Sequence, residues 1–290
     1  MIVGFPPGGL TDNSARIVAQ GLSAELGQPV VVENKAGADS TIAAAQAAKS
    51  TPDGYTLFYA TSGALASGPA LRKGISYDPV MSFAPLSRVG DATFILFVHP
   101  DVPAKTVWEL VNLARANPGH LNYGSGSQTG IVGMAQLIRA AGIKMTHVPY
   151  KGDATLLPDL LAGRLQVCFI STVAQGVSLM KEGRLRALAV MNDHRTSLAP
   201  EIPTLAEAGF GAVSTRGWHG VVAPAGLQAE LARRLSASIN AVLKRIDVRN
   251  QLTAQGLDVQ GSSPEEFRVY IKAQVDFWRR AVQENGITTE

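Results

Sequence analysis

The sequence has 290 residues, 46% of them hydrophobic and 17% charged, which suits one or two globular domains and excludes a disordered chain. Its net charge of +3 is spread along the chain, so nothing argues for a nucleic-acid partner. No apolar run approaches a membrane span, and Cys168, the single cysteine, excludes an intrachain disulfide.

In chain order, the apolar segment Ile2-Val3-Gly4-Phe5 runs into Pro6-Pro7-Gly8-Gly9-Leu10-Thr11-Asp12, and an amphipathic helical pattern follows over residues 13–26. The prolines fix φ and remove N–H donors, while the glycines let the backbone turn tightly and lie bare. Thr11 or Asp12 can cap the helix, leaving first-turn N–H groups directed into the same space. Strand, loop and helix N-terminus together make an anion seat; the same residues also serve simply as a well-made turn. No export signal stands ahead of Met1. Because the chain opens almost directly on this loop, part of the first strand and anything upstream is expected to be missing.

Gly27-Gln28-Pro29 stops the helix, and Val30-Val31-Val32 reads as the next strand. A short Ala-rich helix at residues 41–49, a buried strand at 55–59, a loop-like stretch at 63–77 and a strand at 94–98 follow. This βαβαβ rhythm predicts a parallel sheet with helices on both faces. Pro100 and Pro103 break the chain, and Thr106-Val107-Trp108-Glu109 opens a helix with a capping box. A second series has strands at 121–123, 145–148, 166–170 and 186–191 and helices at 132–141, 155–161 and 174–181. Cys168 lies within an apolar run of that series, as core filler rather than a nucleophile. Val221-Val222-Ala223-Pro224 repeats the strand-to-proline pattern of Phe97-Val98-His99-Pro100. The chain is therefore expected to form lobe 1 from residues 1–99 and 223–290, and lobe 2 from residues 100–222. A last helix opens with the capping box Ser263-Pro264-Glu265-Glu266, and Phe267, Tyr270, Ile271, Gln274, Phe277 and Trp278 form a stripe for core or docking.

Ligands of open α/β sheets bind at the carboxyl ends of strands, which singles out four loops. These are residues 7–12, Thr61-Ser62-Gly63, Gly124-Ser125-Gly126-Ser127-Gln128-Thr129-Gly130 and Tyr150-Lys151-Gly152-Asp153. All are rich in hydroxyls and backbone donors and poor in general acids and bases. The third fails as a dinucleotide loop, since Thr129 replaces its last glycine and no acid follows about 20 residues on. The chain has no nucleophile elbow, and His99, His120, His147, His194 and His219 lack metal-ligand spacing. His147, in an apolar strand, reads as a hydrogen-bonded core residue. Asp12 is the carboxylate best placed near a pocket, although a capping role explains it adequately. Lys151 either pairs with a ligand charge or is solvated, and Trp218 either closes over a ligand or packs at a hinge. Carboxylate recognition by hydroxyls and a helix N-terminus fits these loops best. The rival class is an α/β enzyme acting on a carboxylate or nucleotide, with Asp12 or Lys151 in its chemistry.

The order P-P-G-G-x-T-D, Q-P-V-V-V-E-N-K-x-G-A, P-D-G-Y-T-L, Y-D-P-V, N-Y-G-S-G, V-P-Y-K-G and G-W-H-G-V-V-A-P-A-G covers nearly the whole chain. It resembles the Bug-type receptors, the extracytoplasmic solute-binding proteins of tripartite tricarboxylate transporters. The resemblance implies a type II-like periplasmic-binding-protein fold of two α/β lobes joined by two crossings. It implies a periplasmic, non-catalytic monomer without cofactor or metal, which captures a small di- or tricarboxylate or aromatic acid in the cleft and delivers it to membrane permease subunits. By the same match, Pro7, Gly8, Gly9, Thr11 and Asp12 on one lobe and Ser125, Ser127, Gln128, Thr129 and Gly130 on the other hold the ligand carboxylate. Thr61, Ser62, Tyr150, Lys151, Gly152, Ser171 and Trp218 complete the lining. Many relatives carry an Asp-Asn pair just after the strand matching Val167-Cys168-Phe169, where this chain has Ile170-Ser171-Thr172. Loss of an acid that could receive a ligand amino group argues against amino-acid ligands.

Overall fold

The computed structural model describes residues 1–150, 152–171, 173–213 and 215–284. The chain divides into two compact α/β units, one of Met1–Ala92 with Gly217–Glu290 and one of Thr93–Arg216.

The first unit begins with β1 (Ile2–Val3), α1 (Leu10–Leu26), β2 (Glu33–Asn34), α2 (Thr41–Ala48), β3 (Phe58–Thr61), α3 (Gly68–Leu71) and the long β4 (Phe83–Ala92). The second holds β5 (Ile95–Val98), α4 (Val107–Ala116), β6 (Asn122–Ser125), α5 (Gln128–Ala141), β7 (Thr146–His147), α6 (Asp153–Leu161), β8 (Val167–Ile170), α7 (Val173–Lys181) and β9 (Arg186–Val190). The chain then returns with β10 (Gly217–Pro224), α8 (Ala229–Lys244), α9 (Ile246–Ala254), β11 (Leu257–Val259) and α10 (Pro264–Glu284).

The expected parallel sheets are in fact mixed. The first, ordered β11-β4-β10-β3-β1-β2, pairs β1 parallel with β2 and β3, but β10 runs antiparallel to both β3 and β4. The second, ordered β7-β6-β8-β5-β9, pairs β6 parallel with β7 and β8, but β5 runs antiparallel to β8 and β9. In the second sheet the reversed strand is the one by which the chain enters, β5; in the first, both the returning β10 and the edge strand β11 are reversed. Pairing also moves both crossings ahead of the strands used to locate them. β5 belongs with β8 and β9, so the first crossing lies before residue 94; β10 belongs with β3 and β4, so the second lies before residue 217.

Local chemistry accounts for the helix ends. Gly27 ends α1 in a left-handed conformation, φ 64°. Thr106 accepts the Glu109 N–H at 3.1 Å and Ser263 that of Glu266 at 3.2 Å. Glu266 takes Ser263 N at 2.7 Å in return and closes its capping box, whereas Glu109 takes Lys105 N at 2.6 Å, one residue ahead of the cap. α10 lays the buried Phe267, Ile271 and Trp278 against its unit. Around Cys168, fully buried, the second unit packs Ile95, Phe97, Leu160, Leu165 and Val190. The strand read at Val30-Val31-Val32 starts later, as β2, and Val30 gives its N–H to Ser23 Oγ at 2.8 Å. Likewise β3 starts at Phe58 because Tyr55, 92% exposed, sits in a turn closed by Asp53. His147 is not a core residue: it lies exposed on edge strand β7, tilted against Tyr123. Among the described residues, no helix is long and apolar enough to cross a membrane.

Candidate functional site

In the first unit, the loops after β1, β2 and β3 lock together at the carboxyl ends of these strands. Neither Thr11 nor Asp12 is the N-cap of α1; that position is Gly9, with φ −85° and ψ 174°. Gly8, at φ 90°, makes the left-handed turn that precedes it. A Cβ on Gly8 or on Gly9 would meet nothing within 4 Å, and Pro7 and Gly8 are exposed, so this backbone lies bare beside the α1 N-terminus. The first-turn N–H groups have no intrahelical acceptors, and the helix dipole adds positive potential there.

Asp12 sits in the first turn, buried, and braces this loop from behind. Its carboxylate accepts from Gly8 N at 3.0 Å, Asn34 Nδ2 at 2.8 Å and Arg16 Nε at 3.0 Å. Burial pushes its carboxyl up, but the Arg16, Asn34 and Gly8 donors outweigh that and hold it below the usual carboxylate value. Asn34 also gives its amide to Phe5 O at 3.0 Å, tying β2 to the loop. Thr11 Oγ1 lies 3.3 Å from Nε2 of His219 on β10. Both groups are buried, and burial drives the imidazole down to about 3, leaving it neutral at ordinary pH.

The segment between β2 and α2, whose first residues end the Q-P-V-V-V-E-N-K-x-G-A motif and to which no ligand role was given, completes the loop set. Ala38, Asp39 and Ser40 are consecutive left-handed residues, at φ 47°, 51° and 74°. A Cβ on Gly4 would lie 1.7 Å from Ser40 Oγ, and one on Gly63 would lie 2.5 Å from Asp39 Oδ2, so small residues at both places admit the segment. Thr61 and Ser62, both buried, end β3 here, and Thr61 Oγ1 accepts the Ala64 N–H at 3.3 Å. The Trp218 ring is fully buried in β10, edge-on to Phe267 and Tyr270 of α10.

In the second unit, the loops after β6, β7 and β8 converge in the same manner. Ser125 Oγ gives a hydrogen bond to Phe169 O at 3.2 Å, and a Cβ on Gly130 would lie 1.9 Å from that hydroxyl. Ser127 is the N-cap of α5, accepting the Gly130 N–H at 3.3 Å, with Gln128 and the buried Thr129 in the first turn. The Tyr150 ring lies over Gly124, where a Cβ would approach it to 3.0 Å, and its hydroxyl donates to Asp159 at 2.9 Å. Gly152 precedes α6 and lies against Gly126. Lys151 lies outside the described residues. Ser171 gives both its N–H and its hydroxyl to Asp153 Oδ2, each at 2.8 Å. An acid is therefore not lost at the end of β8, as its sequence suggests; Asp153 brings one there from the start of α6.

Each unit thus gathers hydroxyls and a helix N-terminus at the carboxyl ends of its parallel strands. Of the carboxylates in these loops, Asp12 and Asp153 are engaged by donors from their own unit, and Asp39 lies beside Gly63. Among the described residues, no three His, Cys, Asp or Glu side chains are grouped to hold a metal ion.

Comparison with known proteins gives a consistent set of relatives. Residues 14–287 match the family described as "Tripartite tricarboxylate transporter family receptor". Protein BugT of Bordetella pertussis is 35% identical over 291 residues, covering 99% of this chain and 88% of its own. An R. palustris protein solved with adipate superposes with a TM-score of 0.92 at 31% identity, over 99% of this chain and 96% of its own. The periplasmic binding protein BugD superposes with a TM-score of 0.90 at 29% identity, over 100% of this chain and 98% of its own.

Proposed function

The chain belongs to the tripartite tricarboxylate transporter family of receptors, and from that premise we propose that it captures one small carboxylate outside the cytoplasm and hands it unchanged to membrane permease subunits. The bare α1 N-terminus carries this reading. Gly8 and Gly9 leave space where any larger residue would stand, and the carboxylate behind them, Asp12, is turned back onto Gly8 N, Asn34 and Arg16. Such a site grips an anion and offers it no chemistry. The second unit carries a comparable helix N-terminus, that of α5 behind its N-cap Ser127.

The energetics are sufficient. Micromolar affinity corresponds to about −8 kcal/mol. Hydrogen bonds to a charged group contribute roughly 1.5–3 kcal/mol each, so a few of them with modest apolar contact reach that value. The adipate-bound relative supports taking dicarboxylates among the candidates, with tricarboxylates and aromatic acids.

The test is a thermal-shift screen of these three acid classes, followed by calorimetry on any hit. A ligand at about 100 times its Kd should raise stability by about 2.7 kcal/mol, a shift of several degrees. Ligand recovered after denaturation should be chemically unchanged. If only nucleotides or cations raised the melting temperature, or if the acid were converted, the receptor reading would be wrong.

A further inference from the structure

Thr11 carries the only side-chain hydroxyl in the first turn of α1, beside the bare Gly8-Gly9 backbone. The direction of its proton decides what that turn shows to an anion. A hydroxyl that donates inward presents lone pairs to the ligand, whereas one that accepts from behind keeps its proton to give. The group behind it is His219, whose Nε2 lies 3.3 Å away. β10 holds this residue between Thr61 of β3 and Gly90 of β4, and the Tyr59 ring packs against the imidazole at 5.4 Å, tilted by 53°. Among the described residues, the Thr11 hydroxyl meets no other partner, and His219 Nδ1 is buried without one.

Burial keeps the imidazole neutral, so one ring nitrogen holds the proton and the other a lone pair. Two features place the proton on Nε2. The separation exceeds the range of about 2.5–3.0 Å for an O–H donor and lies closer to that of an N–H donor. The other tautomer would leave Nδ1–H as a buried donor with no acceptor, a rarer fault in proteins than an acceptor left short of donors. We propose that His219 is a positioning residue: it donates Nε2–H to Thr11 Oγ1 and so frees the Thr11 hydroxyl proton for the anion at the α1 N-terminus. The proposal rests on the receptor reading above and uses groups of the first unit alone.

Nitrogen-15 NMR of the full chain, labelled in its histidine rings, reads the tautomer. Nε2 of His219 should carry the proton in the free protein; a proton on Nδ1 would overturn the proposal. Calorimetry with adipate, citrate and benzoate, one of each acid class, reads the consequence. For an acid that binds, Thr11→Val and His219→Phe should each lower affinity about tenfold, and the double variant no further. His219→Gln, whose amide can donate from a similar position, should recover most of the loss. Unchanged affinity in His219→Phe, or losses that add in the double variant, would overturn the proposal while leaving the receptor reading intact. Should His219→Phe fail to fold, the tautomer and Thr11→Val decide, and unchanged affinity in Thr11→Val would be as damaging. Binding of none of the three acids to the wild type would overturn both readings.

Discussion

Replacing Asp12 by Asn isolates what the buried carboxylate does for the first loop. Its two oxygens receive Gly8 N, Asn34 Nδ2 and Arg16 Nε, at 2.8–3.0 Å. An amide keeps one acceptor and turns a donor toward whichever group faces its nitrogen, so either the Gly8 or the Asn34 bond is lost and the other loses its charge assistance. A hydrogen bond to a charged group contributes roughly 1.5–3 kcal/mol. The Arg16 side chain is 50% exposed, so its ion pair adds only about 0.5 kcal/mol after solvent screening. Asp12→Asn should therefore cost about 2 kcal/mol near neutral pH. The pH dependence has a definite sign. The folded-state pKa of Asp12 lies below its ordinary value of 3.8, so its contribution is complete above that value and disappears as pH falls through the folded pKa. Urea unfolding of both proteins, followed by far-UV circular dichroism from neutral to strongly acidic pH, reads this directly. The two curves should converge at the acidic end. Equal midpoints at neutral pH, or a gap that persists in acid, would show that charge on Asp12 does not brace the loop.

Three other outcomes follow from the same geometry. Gly8→Ala should destabilise by roughly 1 kcal/mol because φ is 90° there, whereas Gly9→Ala, at φ −85°, should leave urea stability nearly unchanged and still weaken ligand binding by placing a methyl in open space. The unfolded chain takes up a proton near pH 6.5 that His219, held at about 3, refuses, so wild-type stability should fall as pH drops between those values. His219→Phe should remove that slope, worth about 3 kcal/mol by pH 4, as measured by unfolding across that range. Cys168, fully buried with its thiol pushed well up by desolvation, should resist a thiol reagent until urea unfolds the chain; rapid labelling of the native protein would contradict its place in the core.

Features written in consecutive residues were legible before any coordinates. The N-caps at Thr106 and Ser263 and the stop at Gly27 need only neighbours in the chain, and each forms where expected. Sheet direction was not legible, because whether a strand runs parallel or antiparallel depends on its partner. β4 escaped notice for a related reason. Pro85 and Gly90 interrupt its pattern, and the glycine is required only because the Asp258 carbonyl would lie 2.3 Å from a Cβ there.

The candidate site divides along the same line. Its exposed loops are local strand-to-helix turns, and the sequence displays them. The groups that hold those loops come from elsewhere: Asn34 reaches Asp12 across 22 residues, His219 reaches Thr11 across 208, and Asp153 reaches Ser171 across 18. The last case shows why ligand class is hard to read from one strand end. Ile170-Ser171-Thr172 looks like a site stripped of its acid, yet Ser171 is the donor that keeps Asp153 there. An acid can change its position in the chain and keep its position in the fold, provided a glycine such as Gly126 makes room.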